Sequence, residues 1–157
     1  MNKIENTNVN PREAQSPKSL HRLKWLSVVL GVWMFLFGFL KFFRPFSGWF
    51  DAQIKHSGLP AISIPAGIGT EMLVGLMFLI PWLSGRFPLQ RRRQINVVAS
   101  LILISQMLVA TYVHLQPDVP AGVLPLGIKP PIVPLTLLFL AAINGIYSFR
   151  LRVEPTT

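Results

Sequence analysis

The chain has 157 residues, enough for one domain, and 51% of them are hydrophobic whereas only 13% are charged. A typical soluble domain has about 25% charged residues, so this composition argues against an ordinary soluble protein. The absence of cysteine excludes disulfides, thiol redox chemistry and cysteine-ligated metals within the chain. The net charge of +9 lies mostly beside apolar runs, which favours a membrane topology signal over a nucleic-acid-binding role.

The N-terminal residues 1–20 are mostly polar, which predicts a disordered tail. A membrane domain is expected over residues 21–152, followed by a short tail at residues 153–157. The first apolar run, Trp25–Phe43, is longer than a signal-peptide core and has no small-residue cleavage motif. We therefore interpret this run as an uncleaved membrane span.

The loop after this run, "RPFSGWFDAQIKHSGLP", has large apolar residues at helical spacing. Phe46, Trp49, Phe50 and Ile54 would share one face, which predicts a short amphipathic helix in the membrane interface. Two interpretations of Trp49 and Phe50 stay open. They form either the rim of a site for a flat lipophilic ligand or part of an ordinary aromatic belt.

Three further apolar runs cover Pro65–Leu83, Ile95–Val113 and Ile132–Phe149. Each has roughly the 20 residues that cross a hydrocarbon core of about 30 Å. The runs are apolar all round and lack the alternation of a barrel strand, which indicates helices. Small and polar residues recur in them at helical spacing. The sequence therefore predicts an all-α membrane protein, a four-helix transmembrane bundle with these stripes facing inward.

The connection between the last two runs, "HLQPDVPAGVLPLGIKPPIVPL", holds six prolines and many aliphatic residues. Proline fixes the backbone angle φ and removes a hydrogen-bond donor, so such a segment can be ordered beside lipid. We expect an ordered cap over one end of the bundle. The cap is either a gate for a ligand or only a well-packed connector.

Most of the 15 Lys and Arg residues lie on one side of the predicted spans. They precede the first span, occupy the "RRRQ" connection between the second and third, and follow the fourth. The positive-inside rule therefore predicts that both termini are cytoplasmic. The arginines are also a candidate contact for anionic lipids.

Four ionisable residues from different segments are expected near the other, outer end: Lys41, Glu71, His114 and Asp118. Glu71 lies inside a span, where a carboxylate is costly and marks a candidate functional site. The four residues form either a ligand-binding or proton-handling site, or a set of structural caps. Lys41 either contacts Glu71 or extends to the lipid headgroups. No metal site is expected, because no ligand spacing is diagnostic.

The stretch "FLFGFLKFFRPFSGWFDAQIKHSGLP" followed by "GTEMLVGLMFLI" resembles the DoxX-like family of small bacterial membrane proteins. The resemblance covers roughly residues 25–150. It is carried by the following residues: Gly38, Lys41, Pro45, Gly58, Pro60, Glu71 and Gly75. It implies a four-helix membrane bundle in a bacterial inner membrane. Relatives associated with quinone-linked thiosulfate oxidation or with membrane oxidoreductase complexes suggest a quinone as ligand.

The leading hypothesis is an accessory inner-membrane subunit that binds a small lipophilic molecule such as a quinone in the outer half of the bundle. No intrinsic cofactor is expected, and no residue is assigned a catalytic role. Expected partners are the lipid bilayer and either a redox partner protein or further copies of the chain. The alternatives are a membrane assembly protein and a proton-coupled transporter of small solutes, in which Gln106 and Asn144 would extend a polar path from Glu71.

Overall fold

The computed structural model describes residues 17–151 as helices and ordered connections. The predicted tails lie outside this range, except that residues 17–20 form the start of the first helix. The five α-helices are α1 (Pro17–Leu40), α2 (Phe46–His56), α3 (Ser63–Leu83), α4 (Leu89–Leu115) and α5 (Ile132–Arg150). Two single-turn 3₁₀ helices, Ala121–Val123 and Pro125–Gly127, lie in the proline-rich connection.

Four of the helices, α1, α3, α4 and α5, are long and apolar enough to cross a membrane. The chain is therefore an integral membrane protein, and the predicted four-helix bundle is confirmed. Large apolar side chains on the outside of the bundle are exposed to the surroundings, among them Phe139 and Leu101. In a bilayer, such side chains face lipid.

Close packing of α1 on α3 depends on two glycines. A Cβ atom on Gly75 would lie 2.6 Å from the backbone nitrogen of Phe35 and 2.9 Å from the carbonyl oxygen of Gly31. A Cβ atom on Gly31 would lie 3.0 Å from the carbonyl oxygen of Gly75. The two backbones thus touch where neither residue has a side chain, as is common for membrane helices. This contact fixes the register of α1 against α3.

The bundle has two different ends. The arginine end carries the α3–α4 connection and the basic start of α4. Here Leu23 of α1, Trp82 of α3 and Leu151, which directly follows α5, form a buried cluster. The loop end carries α2 and residues 116–131. The apolar core between the two ends is built around Leu30, Phe78 and Leu103, each with no exposed surface.

Near the arginine end, a network of hydrogen bonds joins all four long helices. Its residues, called the asparagine network below, are fully buried or nearly so: Ser27, Trp82, Asn96, Ser100, Asn144 and Ser148. The Ser27 hydroxyl accepts hydrogen bonds from Asn144 Nδ2 at 2.9 Å and from Asn96 Nδ2 at 3.1 Å. Asn144 Oδ1 accepts a further hydrogen bond from the Ser100 hydroxyl at 3.3 Å, and Asn96 Oδ1 accepts one from Trp82 Nε1 at 3.4 Å.

At the loop end, the proline-rich connection packs onto the bundle as an ordered cap. Val119 has no exposed surface and Leu124 is 4% exposed; both pack against Val113 of α4. Lys129 Nζ donates a 2.6 Å hydrogen bond to the backbone oxygen of Gln116, which closes the segment on itself. The Gln53 side-chain amide of α2 donates a hydrogen bond to the carbonyl oxygen of Val123. The predicted amphipathic helix is present as α2, and this bond ties it to the cap.

Candidate functional site

A large chamber occupies the loop end of the bundle, with a volume of about 930 Å³. All four long helices, α2 and the cap contribute to its wall. Most of the wall is apolar, with aromatic residues of α1 and α2 such as Phe37, Phe46 and Trp49. Its few polar residues include Lys41, Glu71, Gln106 and His114. A chamber of this kind, apolar with a few polar groups, has the form of a small-molecule site.

Lys41 and Glu71 meet at this wall. α1 ends at Leu40, so Lys41 begins the turn that leads to α2, and its ammonium group forms an ion pair with Glu71 Oε1. The two side chains are only 14% and 12% exposed. The ammonium group also lies 3.7 Å from the centre of the Phe50 ring, a cation–π contact. Lys41 thus connects α2 to the carboxylate of α3 instead of extending to the lipid headgroups.

Two buried acceptors at the chamber wall are left without a donor. Glu71 Oε2 and Gln106 Oε1 have no hydrogen-bond partner among residues 17–151. A buried polar atom without a partner costs free energy comparable to a lost hydrogen bond, more for a charged group. Such atoms call for an explanation, and a ligand that supplies the missing donors is one. Of the two carboxylate oxygens of Glu71, Oε1 is therefore paired with Lys41, and Oε2 has no hydrogen-bond donor in this part of the chain.

His114 lies at the C-terminal end of α4 and lines the chamber, with 4% of its surface exposed. Its Nδ1 lies 2.9 Å from the carbonyl oxygen of Ala110, one turn earlier. Because a carbonyl oxygen only accepts, Nδ1 must carry the proton in this contact. The Nε2 atom is then the nitrogen left for other partners, which fixes how the ring could take part in ligand binding.

The structure brings together most of the residues that the sequence singled out. Lys41, Glu71 and His114 line the chamber, as do the two aromatic residues of the expected rim, Trp49 and Phe50. Asp118 does not line it; this residue is exposed in the cap. The chain turns after Pro117, so Asp118 lies away from Lys41, Glu71 and His114. The sequence places Asp118 only four residues after His114 and gave no sign of this turn.

Part of the chamber wall lies at the surface of the membrane-spanning helices. Residues on its wall that are themselves exposed include Ala66 on α3, and Ser105 and Val109 on α4. Val109 is 51% exposed. These positions lie within helices that are long and apolar enough to cross a membrane, so this part of the wall is at the level of the spans.

Two polar residues at the site have roles that the sequence did not reveal. The polar path that the sequence suggests from Gln106 to Asn144 is not continuous along the chamber: Gln106 lines the chamber, whereas Asn144 is enclosed in the asparagine network. Gln53 lines the chamber and holds the cap. The sequence gives only a weak signal for these roles. Gln106 is a single Gln in an otherwise apolar run, and Gln53 lies on the polar side of α2. Within residues 17–151, no three His, Asp or Glu side chains are grouped closely enough to hold a metal ion.

Comparison with protein-family models, curated proteins and solved structures gave no match for this chain. The resemblance to the DoxX-like family therefore stays a prediction from the quoted residues.

Proposed function

We propose that this integral membrane protein binds a small, largely apolar molecule with a polar head in the chamber at its loop end. The observation that carries the proposal is an apolar chamber of about 930 Å³. Its wall holds two buried acceptors, Glu71 Oε2 and Gln106 Oε1, that have no donor in the described part of the chain. Ligand sites typically have volumes of roughly 300–1,000 Å³ and combine apolar walls with a few polar groups.

The charge of the wall favours a neutral ligand. Lys41 and Glu71 neutralise each other, and the remaining wall is mainly apolar and aromatic. An ion entering this chamber would lose its hydration without gaining an unpaired opposite charge. A neutral amphiphile loses less, because its tail replaces contacts with lipid and its head meets the unpaired acceptors.

The exposed wall residues within the spans, Ala66, Ser105 and Val109, support a ligand taken from the bilayer. A quinone is the specific ligand that the DoxX-like resemblance suggests. It has a flat, neutral head on a lipid-soluble tail, and its reduced quinol form carries hydroxyl groups that can donate to the unpaired acceptors. Trp49 and Phe50 line the chamber at the level of α2, where they are placed to stack on such a head. In this proposal the protein is an accessory subunit, and a redox partner protein carries out any electron transfer.

The proposed orientation places the chamber on the periplasmic side of a bacterial inner membrane. It rests on the excess of Lys and Arg at the arginine end, which the positive-inside rule assigns to the cytoplasm. Arg91 is exposed there, and Arg93 donates a 2.9 Å hydrogen bond to the carbonyl oxygen of Phe149. The start of α4 and the end of α5 therefore lie on the same side.

The test is to purify the protein in mild detergent and identify the retained small molecules by native mass spectrometry. We expect a lipophilic compound in the wild-type protein and its loss from a Glu71→Leu variant. The matched control is Asp51→Leu, which removes an exposed carboxylate of α2 that does not line the chamber. Equal retention by all three proteins, or no bound compound in a wild type that also takes up no added quinone, would contradict the proposal.

A further inference from the structure

We infer that the chamber selects a ligand whose polar head carries a hydroxyl group, such as a quinol, over the corresponding carbonyl compound. The inference rests on the proposed function and adds the chemical class of the head. Its basis is the type of the two unpaired atoms at the wall. Both Glu71 Oε2 and Gln106 Oε1 are acceptors, so the complement that they require is a donor.

The bonds already present at the wall account for the other carboxylate oxygen. Glu71 Oε1 accepts a hydrogen bond from Lys41, whose ammonium group also faces the Phe50 ring at 3.7 Å. One N–H of the Lys41 ammonium is thus used by Glu71 Oε1, while the second carboxylate oxygen, Oε2, has no donor among residues 17–151. Gln106, on the neighbouring helix α4, adds a second acceptor in excess.

A hydroxyl group fits this wall better than a carbonyl group. A hydroxyl donates one hydrogen bond and accepts others, so it can donate to Glu71 and still accept from Lys41. A carbonyl oxygen only accepts. It could accept from Lys41 or from the Gln106 amide nitrogen, but it would leave Glu71 Oε2 and Gln106 Oε1 unpaired. Sites built to hydrogen-bond a hydroxyl reject analogues without it strongly, because their own buried groups lose their partners.

The two acceptors can reach a head group without a change of fold. Both atoms are buried from water, yet both belong to residues that line the chamber. The terminal torsion of a Glu or Gln side chain is soft, with a broad range of allowed angles. Rotation about this torsion would turn the carboxylate oxygen of Glu71 toward a ligand while the helix stays in place.

The experiment compares three forms of one molecule: a benzoquinol with a decyl tail, its quinone and its dimethyl ether. The purified protein is titrated with each under anoxic conditions, and the quinol competes directly with the quinone in native mass spectrometry. We expect the quinol to bind about tenfold or more tightly than the other two, the effect of roughly one hydrogen bond to a charged group. Binding of the ether as tight as that of the quinol would overturn the inference and leave the proposed function standing.

Two variants of nearly unchanged shape test the assignment of the acceptors. Glu71→Gln replaces one acceptor oxygen by an amide donor, so the preference for quinol over quinone should fall and the quinone should gain affinity. Gln106→Leu removes the second acceptor and should weaken quinol binding alone. Unchanged preference in both folded variants would also overturn the inference. If the wild-type protein binds none of the three compounds, the inference is overturned, and the proposed function fails with it when the purified protein also retains no native lipophilic compound.

Discussion

Two buried polar clusters divide this bundle, and they differ in how completely their members are paired. In the asparagine network near the arginine end, uncharged side chains from four helices form hydrogen bonds with each other. Asn144 by itself forms three, with Ser27, Ser100 and Ser148. At the loop end, Lys41 and Glu71 form a buried ion pair, and two acceptors beside the chamber have no partner among residues 17–151. None of the network residues lines that chamber.

This difference in hydrogen-bond pairing suggests that the asparagine network serves stability and that the Lys41–Glu71 site serves binding. A buried group whose hydrogen bonds are satisfied helps to specify one packing of the helices. A buried group that lacks a partner costs free energy, and natural proteins keep such groups mainly where function requires them. We therefore expect the network to hold the helices together and the Lys41–Glu71 site to be maintained at some cost in stability. The four predictions below test this assignment, in order of decreasing effect on the free energy of unfolding.

The largest effect on the free energy of unfolding is expected for Gly75→Ala. This residue lies at the close contact of α1 and α3, and both polar clusters include residues of α3 and of α1 or the turn directly after it. The added methyl group would lie 2.6 Å from the Phe35 backbone nitrogen, which cannot move aside like a flexible side chain. Overpacking should lower the free energy of unfolding by about 1–3 kcal/mol and shift Lys41 away from Glu71, so ligand retention should fall as well. Thermal unfolding in detergent and native mass spectrometry measure the two effects.

The matched control for Gly75→Ala is Gly69→Ala on the same helix. A Cβ atom at Gly69 meets nothing within 4 Å, so this variant should unfold at or above the wild-type temperature. If the two variants behave alike, the close approach of α1 and α3 does not control the stability of the bundle.

The second effect is expected for Asn144→Leu, which removes the centre of the asparagine network. Hydrogen bonds between membrane helices contribute about 0.6 kcal/mol each on average, and Asn144 takes part in several. We expect a loss of about 1–2 kcal/mol in chemical or thermal unfolding, with unchanged affinity for the ligand. Tyr147→Leu, which replaces an exposed polar side chain on the same helix, is the control. Weakened ligand binding at unchanged stability would reverse the roles assigned to the two clusters.

A smaller and opposite effect is expected for the double variant Lys41→Met/Glu71→Leu. Replacing a buried ion pair by apolar residues is often neutral or stabilising, because the charges no longer have to be removed from water. The free energy of unfolding should stay unchanged or rise by about 1 kcal/mol, while retention of the ligand is lost. The comparison is made with Glu71→Leu alone, which leaves the Lys41 ammonium unpaired and should be less stable. A double variant less stable than this single variant would show that the pair is a structural element.

The smallest effect is expected for Lys129→Met in the cap. Lys129 donates to the carbonyl oxygens of Gln116 at 2.6 Å and Pro117 at 3.2 Å, so its loss should loosen the cap locally. Global stability should change by less than about 1 kcal/mol, whereas hydrogen exchange of residues 121–127 should increase. Lys55→Met, at an exposed position of α2, is the control. An unchanged exchange rate would mean that apolar packing of Val119 and Leu124 holds the cap without this bond.

The sequence predicted the fold well because each part of the fold has a local signal. The four spans follow from uninterrupted apolar runs, and α2 follows from the spacing of Phe46, Phe50 and Ile54. The structure moves the ends of these elements by a few residues: α1 already stops at Leu40, so Lys41 lies in a turn. That shift allows its ammonium group to reach both Glu71 and Phe50.

The sequence by itself determined that Glu71 is buried in the membrane and that Lys41 and His114 lie near the same end, because depth in a bilayer follows from position along a span. Only the tertiary structure decided which polar groups are paired. Asn96 and Asn144 both donate to Ser27 from a third helix. In the part of the chain that the structure describes, Glu71 and Gln106 each keep an acceptor free, and Asp118 lies apart in the cap. Pairing depends on the rotation and crossing of the helices, which the Gly31–Gly75 contact sets and no local pattern specifies.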